Sequence, residues 1–160
     1  MQETITRRDE LTLPTKFRVT DIKDGKGLLL GRGFKEGEWD AEAWRFVASK
    51  RGHVIYGPYL RRPLPEGTYV AAFTPKIADP KTGDRPIVKL DVVCAVPKPA
   101  HKTLGKTDVT PSQFRAADKY EEIPVGFPVN GDEPRIEFRV FSVGSGDTVT
   151  LDYVKLHRES

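Results

Sequence analysis

Aromatic rings set among polar neighbours, and charged groups on segments that otherwise alternate as strands, are the side chains in this sequence best suited to engage a ligand. Trp39 lies in Lys35-Glu36-Gly37-Glu38-Trp39-Asp40, where the apolar pattern gives no reason to bury it. Tyr56 and Tyr59 flank Gly57-Pro58 in His53-Val54-Ile55-Tyr56-Gly57-Pro58-Tyr59-Leu60. The two-residue period of a strand and the break at proline turn at least one of these rings away from a core. Trp44 reads as core before it reads as a ligand contact. Sugar rings present flat C–H faces that stack on such rings, and their hydroxyls need charged or amide partners nearby. Arg45, Arg139 and the pair Arg61-Arg62 can meet acidic sugars or solvate a sheet rim. Lys89 and Asp91 share a strand face, either on a solvent-facing sheet or as a structural ion pair.

Other chemistries lack their residues. There is no Gly-x-Ser-x-Gly elbow, and His53, His101 and His157 stand singly, so no nucleophile comes with a positioned base. Gly25-Lys26-Gly27 and Gly31-Arg32-Gly33 lack the remainder of a phosphate-loop or dinucleotide pattern. The spacings of zinc hydrolases are missing, and the single Cys94, in Leu90-Asp91-Val92-Val93-Cys94-Ala95, reads as a buried strand position. With 23 acidic residues some carboxylate pair must lie close in space, so polysaccharide cleavage stays open as an alternative. The 26 basic residues leave a net charge of only +3, which is not the surface of a dedicated nucleic-acid binder. No apolar run approaches the ~18 to 20 residues of a membrane span. The first residues, Met1-Gln2-Glu3-Thr4-Ile5-Thr6-Arg7-Arg8, carry no apolar stretch of a secretory signal.

The elements that must position these groups read as strands. Fourteen Gly and thirteen Pro punctuate short segments rich in Val, Thr, Tyr and Phe, as in an all-β sandwich or barrel. Nine strands are predicted, over 16–22, 27–31, 44–49, 53–60, 67–74, 87–96, 120–129, 135–142 and 148–157, enough for two packed antiparallel sheets. Residues 1–15 form an N-terminal extension or edge strand, and 16–160 the sandwich. Ile136, Phe138 and Val140 fall on a core face, with Arg135, Glu137 and Arg139 on a wet one. Tyr69 reads as core. Pro75 to Pro86 and Pro97 to Pro111, the latter with Lys98, His101, Lys102 and Lys106, read as long loops.

Five stretches occur in a familiar order: His53-Val54-Ile55-Tyr56-Gly57-Pro58-Tyr59, Leu64-Pro65-Glu66-Gly67-Thr68-Tyr69, Leu90-Asp91-Val92-Val93, Ile136-Glu137-Phe138-Arg139-Val140 and Leu151-Asp152-Tyr153-Val154-Lys155-Leu156. Across residues 16 to 157 they resemble the jelly-roll carbohydrate-binding modules of the galactose-binding-domain-like class, in particular families 6 and 35. The resemblance implies a two-sheet antiparallel β-sandwich of jelly-roll type. It also implies a structural calcium, held in those families by an acidic residue of the first strand and the Asp of the closing one. Asp152 matches the closing position, and Asp21 is the acid available on the first strand, which lacks the usual acidic pair. Family ligand contacts lie on loops at one edge, where Trp39, Tyr56 and Tyr59 would serve, or on the concave sheet, where Asp91 and Arg139 would.

The resulting expectation is a lectin-like, non-catalytic module. It binds polysaccharide or glycan through an aromatic platform (Trp39, Trp44, Tyr56, Tyr59) with adjacent charged groups (Arg45, Asp91, Arg139). Such a module acts beside a catalytic domain in its parent protein, in an extracellular or cell-surface setting. Two alternatives stand next to it: a small polysaccharide lyase or glycoside hydrolase on the same sandwich, and a structural or assembly domain using the same aromatic edge for protein contacts.

Overall fold

The computed structural model describes residues 11–80, 83–95 and 101–159 of the 160-residue chain. Eleven strands run through the described residues: β1 (Thr15–Thr20), β2 (Leu28–Leu30), β3 (Glu38–Asp40), β4 (Ala43–Val47), β5 (Arg51–Tyr56), β6 (Gly67–Ile77), β7 (Val88–Cys94), β8 (Lys102–Val109), β9 (Ile123–Val129), β10 (Glu137–Val143) and β11 (Thr148–Arg158). Single 3-10 turns occupy Arg32–Phe34 and Pro111–Gln113. No helix among the described residues is long and apolar enough to cross a membrane. Residues 1–10 of the expected N-terminal extension, and Lys98 of the expected loop, lie outside the described residues.

The strands form two layers. In the first, β11 is central: β6 pairs along one side of it, while β4 and β1 share the other, at Thr148 to Leu151 and Tyr153 to Leu156 respectively. β3 flanks β4, and β9 flanks β6. The second layer runs β1-β2-β5-β10-β7-β8. β1 belongs to both, since Thr15 to Arg18 pair with β11 and Val19 and Thr20 pair with β2. The hydrogen-bonded ladder is therefore continuous through β1, and the β1–β2 pair is parallel, which departs from the fully antiparallel expectation.

Alternation explains which strands sit where. β9, Ile-Pro-Val-Gly-Phe-Pro-Val, buries Ile123, Val125, Phe127 and Val129 and leaves Pro124, Gly126 and Pro128 outside. It pairs only with β6, and an edge position tolerates prolines that donate nothing to a ladder. One apolar cluster fills the space between the layers, and the rings of Phe17 on β1 and Phe138 on β10 meet across it at 5.5 Å. On the far side β8 and β9 come together backbone to backbone. A Cβ on Gly105 would stand 2.5 Å from the Gly126 carbonyl oxygen, so only glycine permits that closure.

Each of the nine predicted strands overlaps an observed one, and Tyr69 and Cys94 are buried as expected. Two expectations are corrected. Much of the loop assigned to Pro97 to Pro111 is the strand β8, whose Lys102-Thr103-Leu104-Gly105-Lys106-Thr107-Asp108-Val109 hides its period because an exposed edge is kept polar and charged. The loop assigned from Pro75 begins later, since β6 runs through Pro75 to Ile77 beside the irregularity in β11 between Leu151 and Val154, where a missing N–H is tolerated.

Because Phe138 is fully buried and joins the layers, Phe138→Ala should destabilise the fold by about 3–5 kcal/mol. Urea denaturation checks this: the midpoint should fall with little change in slope.

Candidate functional site

The outer face of the second layer carries a cleft of about 510 Å³, lined by residues of β5 and β10, the Arg32–Phe34 turn, Tyr59 and His101. Three local features build it. A bulge sets Ile55 opposite Val140 and His53 opposite Phe141, so Val54 is the extra residue of β5. Val54 and Ile55 are then both buried, while His53 turns outward, its ring edge-on to Phe141 at 5.1 Å.

Beyond Tyr56, Gly57 takes φ +97, a left-handed conformation suited to glycine, and Pro58 follows. The segment still bonds to β10, with Phe138 donating to the Gly57 carbonyl and Leu60 to that of Ile136. This brings half-buried Tyr56 and exposed Tyr59 onto one wall with ring centroids 6.5 Å apart. The opposite wall is the turn after Gly31, whose N–H donates to the Val54 carbonyl at 2.7 Å. A Cβ at Gly31 would lie 1.8 Å from the His53 carbonyl oxygen, so this approach also requires glycine.

The polar groups of the cleft are tied together. Arg139 faces Asp91 across the β10–β7 ladder and donates twice to its carboxylate, at 2.9 and 2.8 Å. Glu137 Oε1 lies 3.4 Å from His101 Nε2, the Gly57 N–H and the Tyr59 hydroxyl stand by the carboxylate and favour its charged form, and the buried Oε2 makes no well-formed hydrogen bond. Burial raises the Glu137 carboxyl above its ordinary 4.5, against the opposing pull of Arg139 and His101. Burial, then the positive charge of Arg139, holds the His53 imidazole below 6.5, so it is neutral at pH 7. Burial, then the Glu137 charge, raises the Tyr59 phenol, which keeps its proton and its donor capacity.

The cleft thus offers two rings and a rigid guanidinium–carboxylate pair over a buried carboxyl. Glu137 corrects the expectation of a wet face for alternate residues of β10. It is 2% exposed, because Tyr59 and His101 stand over it.

Of the residues expected to bind sugar, Tyr56, Tyr59 and Arg139 line this cleft, with Asp91 behind Arg139. Trp39, Trp44 and Arg45 lie on the β3–β4 edge of the first layer. There Trp39 is 45% exposed and packs edge-on against Trp44 at 4.9 Å, while Arg45 reaches Glu38 at 4.0 Å. Trp44 is buried and donates its indole N–H to the Phe34 carbonyl, anchoring the turn that walls the cleft. Sequence reasoning missed Glu137, His53 and His101 as site residues. The face shared by Glu137 and Arg139 was a readable signal for the first, but neither the bulge behind His53 nor the strand after His101 had one.

The calcium implied by the family resemblance does not fit the residues named for it. Asp152 accepts from the Arg18 guanidinium at 2.9 Å, which would oppose a cation there, and Asp21 is exposed. Among the described residues no group of three or more His, Cys, Asp or Glu is arranged to hold a metal.

The raised Glu137 carboxyl sets a sign for pH dependence. Above its ordinary value the folded chain still holds a proton that the unfolded chain has released, so this group's contribution to stability falls as pH rises through that interval. Glu137→Gln should therefore gain in urea midpoint relative to the parent as pH rises above about 4.5. Parallel profiles would count against a perturbed Glu137.

No family model and no curated protein matches this chain. Solved structures do. The N-terminal CBM22-1–GH10 modules of Clostridium thermocellum endo-1,4-β-D-xylanase 10B, complexed with xylohexaose, are 17% identical with a TM-score of 0.47. That match covers 78% of this chain and 23% of the xylanase chain, so this chain spans about a quarter of its length. The second N-terminal cellulose-binding domain of Cellulomonas fimi β-1,4-glucanase C is 12% identical with a TM-score of 0.52, over 94% of this chain and 99% of that one. The fold of this chain is a jelly-roll β-sandwich, shared with that cellulose-binding domain.

Proposed function

We propose that this protein binds a saccharide, without cleaving it, in the cleft on the outer face of the second layer. Tyr56 and Tyr59 take sugar C–H faces, and Glu137, Arg139 and Asp91 take hydroxyls. The observation that carries this reading is a cleft walled by two tyrosine rings 6.5 Å apart, with the guanidinium–carboxylate pair of Arg139 and Asp91 beside them. A sugar ring covers such aromatic faces while its hydroxyls bond to the charged groups beside them. The fold shared with a cellulose-binding domain is in keeping with this.

Hydrolysis would ask for a second carboxylate free to act as base or nucleophile beside Glu137, but Asp91 commits both oxygens to Arg139. Each polar contact to a sugar contributes only ~0.5 to 1.5 kcal/mol net, because water is exchanged for protein. A single cleft therefore binds weakly and works best beside a catalytic domain or in multivalent form.

A glycan array followed by titration calorimetry tests the assignment. Tyr56→Ala and Tyr59→Ala should each weaken binding about ten- to thirtyfold, as loss of a ring contact of about 1.5–2 kcal/mol implies. Trp39→Ala, on the other layer, should change it less than about twofold. Loss of binding in the Trp39 variant with both tyrosine variants intact would move the site to the β3–β4 edge. Product release from a defined polysaccharide would replace binding with catalysis.

A further inference from the structure

We infer that the saccharide taken by this cleft carries an anionic substituent, a uronate carboxylate or a sulfate ester, seated against Arg32, Lys50 and Arg51. This rests on the saccharide-binding reading and goes beyond it by naming the ligand class.

The three cations line the same cleft as Tyr56, Tyr59 and Glu137, and all three are exposed. On this sheet face Arg139 is matched by Asp91 with two hydrogen bonds, and Lys89 by Asp108 at 3.8 Å. Among the described residues no acid pairs with Arg32, Lys50 or Arg51. The lining holds four permanent cations, Arg139 among them, against the single carboxylate of Glu137. Since the whole chain is only +3, this concentration is local and not a general excess of positive charge.

Two of the cations are held on aromatic faces instead of on acids. The Arg51 guanidinium lies over the Phe141 ring at 5.4 Å, and the Lys50 ammonium lies toward the Phe34 ring at 5.9 Å. Lys50 also crosses the bare backbone of Gly33, where a Cβ would stand 2.9 Å from its Cε. A cation on a ring is oriented without being neutralised, so its charge stays available to a ligand anion. His53, beside Phe141, is held neutral by burial and by Arg139, and so places no competing ion between the cations and the tyrosines. A neutral sugar would leave these cations unmatched. A carboxylate or sulfate on a sugar stacked against the tyrosines would meet them.

Titration calorimetry on the intact chain tests this with five probes. They are a neutral xylo-oligosaccharide, the same oligosaccharide bearing one glucuronic acid, an oligogalacturonate, a sulfated galactan oligosaccharide and a single-stranded oligonucleotide. At low ionic strength at least one acidic saccharide should bind about tenfold or more tightly than the neutral one, and the ratio should shrink near 0.5 M NaCl. The uronates and the sulfated sugar distinguish the two anions. In the triple variant R32Q/K50Q/R51Q the ratio of acidic to neutral affinity should fall below about threefold, with urea midpoints confirming that the fold is kept.

Equal affinities for neutral and acidic sugars would overturn the inference and leave saccharide binding standing. So would a preference that survives the triple variant. An oligonucleotide bound more tightly than every acidic sugar would reassign the cations to a phosphate polymer. No binding of any sugar would remove both this inference and the function it rests on.

Discussion

Residues of β10 alternate between two environments that tolerate no exchange. Phe138 and Val140 are fully buried between the layers, whereas Glu137 and Arg139 project into the cleft. With a side-chain period of two, a slip of one residue would drive a carboxylate and a guanidinium into the apolar cluster and turn Phe138 outward. The Arg139–Asp91 pair acts on the same register from the outside, since its two hydrogen bonds form only with these residues opposite each other on β10 and β7. Core packing and the site are thus one constraint read on two faces of a strand.

The neighbouring strand meets that constraint by breaking its own regularity. The bulge at Val54 buries two successive residues and turns His53 outward, and the Gly57-Pro58 step stops the strand so that Tyr56 and Tyr59 both reach the cleft. An unbroken strand would place residues 56 and 59, three apart, on opposite faces. The opposing wall is fixed from the other layer, where buried Trp44 holds the Phe34 carbonyl and Gly31 lies against the backbone of β5. A rigid scaffold carrying locally irregular segments is the usual arrangement for a binding surface.

Much of this was legible in the residues. The alternation of Ile136 to Val140 gave the core face, Gly57-Pro58 marked the break between the tyrosines, and Asp91 and Arg139 stood out as charges on apolar strands. What was illegible has physical causes. β8 hides its period because its outer edge is kept polar, so His101 before it carried no signal. Glu137 read as solvated because alternation distinguishes two faces of a strand but not whether other segments cover the outer one. Trp39 and Trp44 followed from composition alone, and a tryptophan in a polar stretch is equally consistent with a short edge strand, which is what β3 is.

The buried carboxyl of Glu137 carries a cost in stability. A buried acceptor left without a donor lowers the stability of the free protein, and the raised carboxyl is the same cost seen as a proton affinity. That cost has no counterpart in the Arg139–Asp91 pair beside it, where every charge is matched. The cleft therefore combines a matched charge pair, which keeps the wall rigid, with a carboxyl whose burial is a standing cost to the fold.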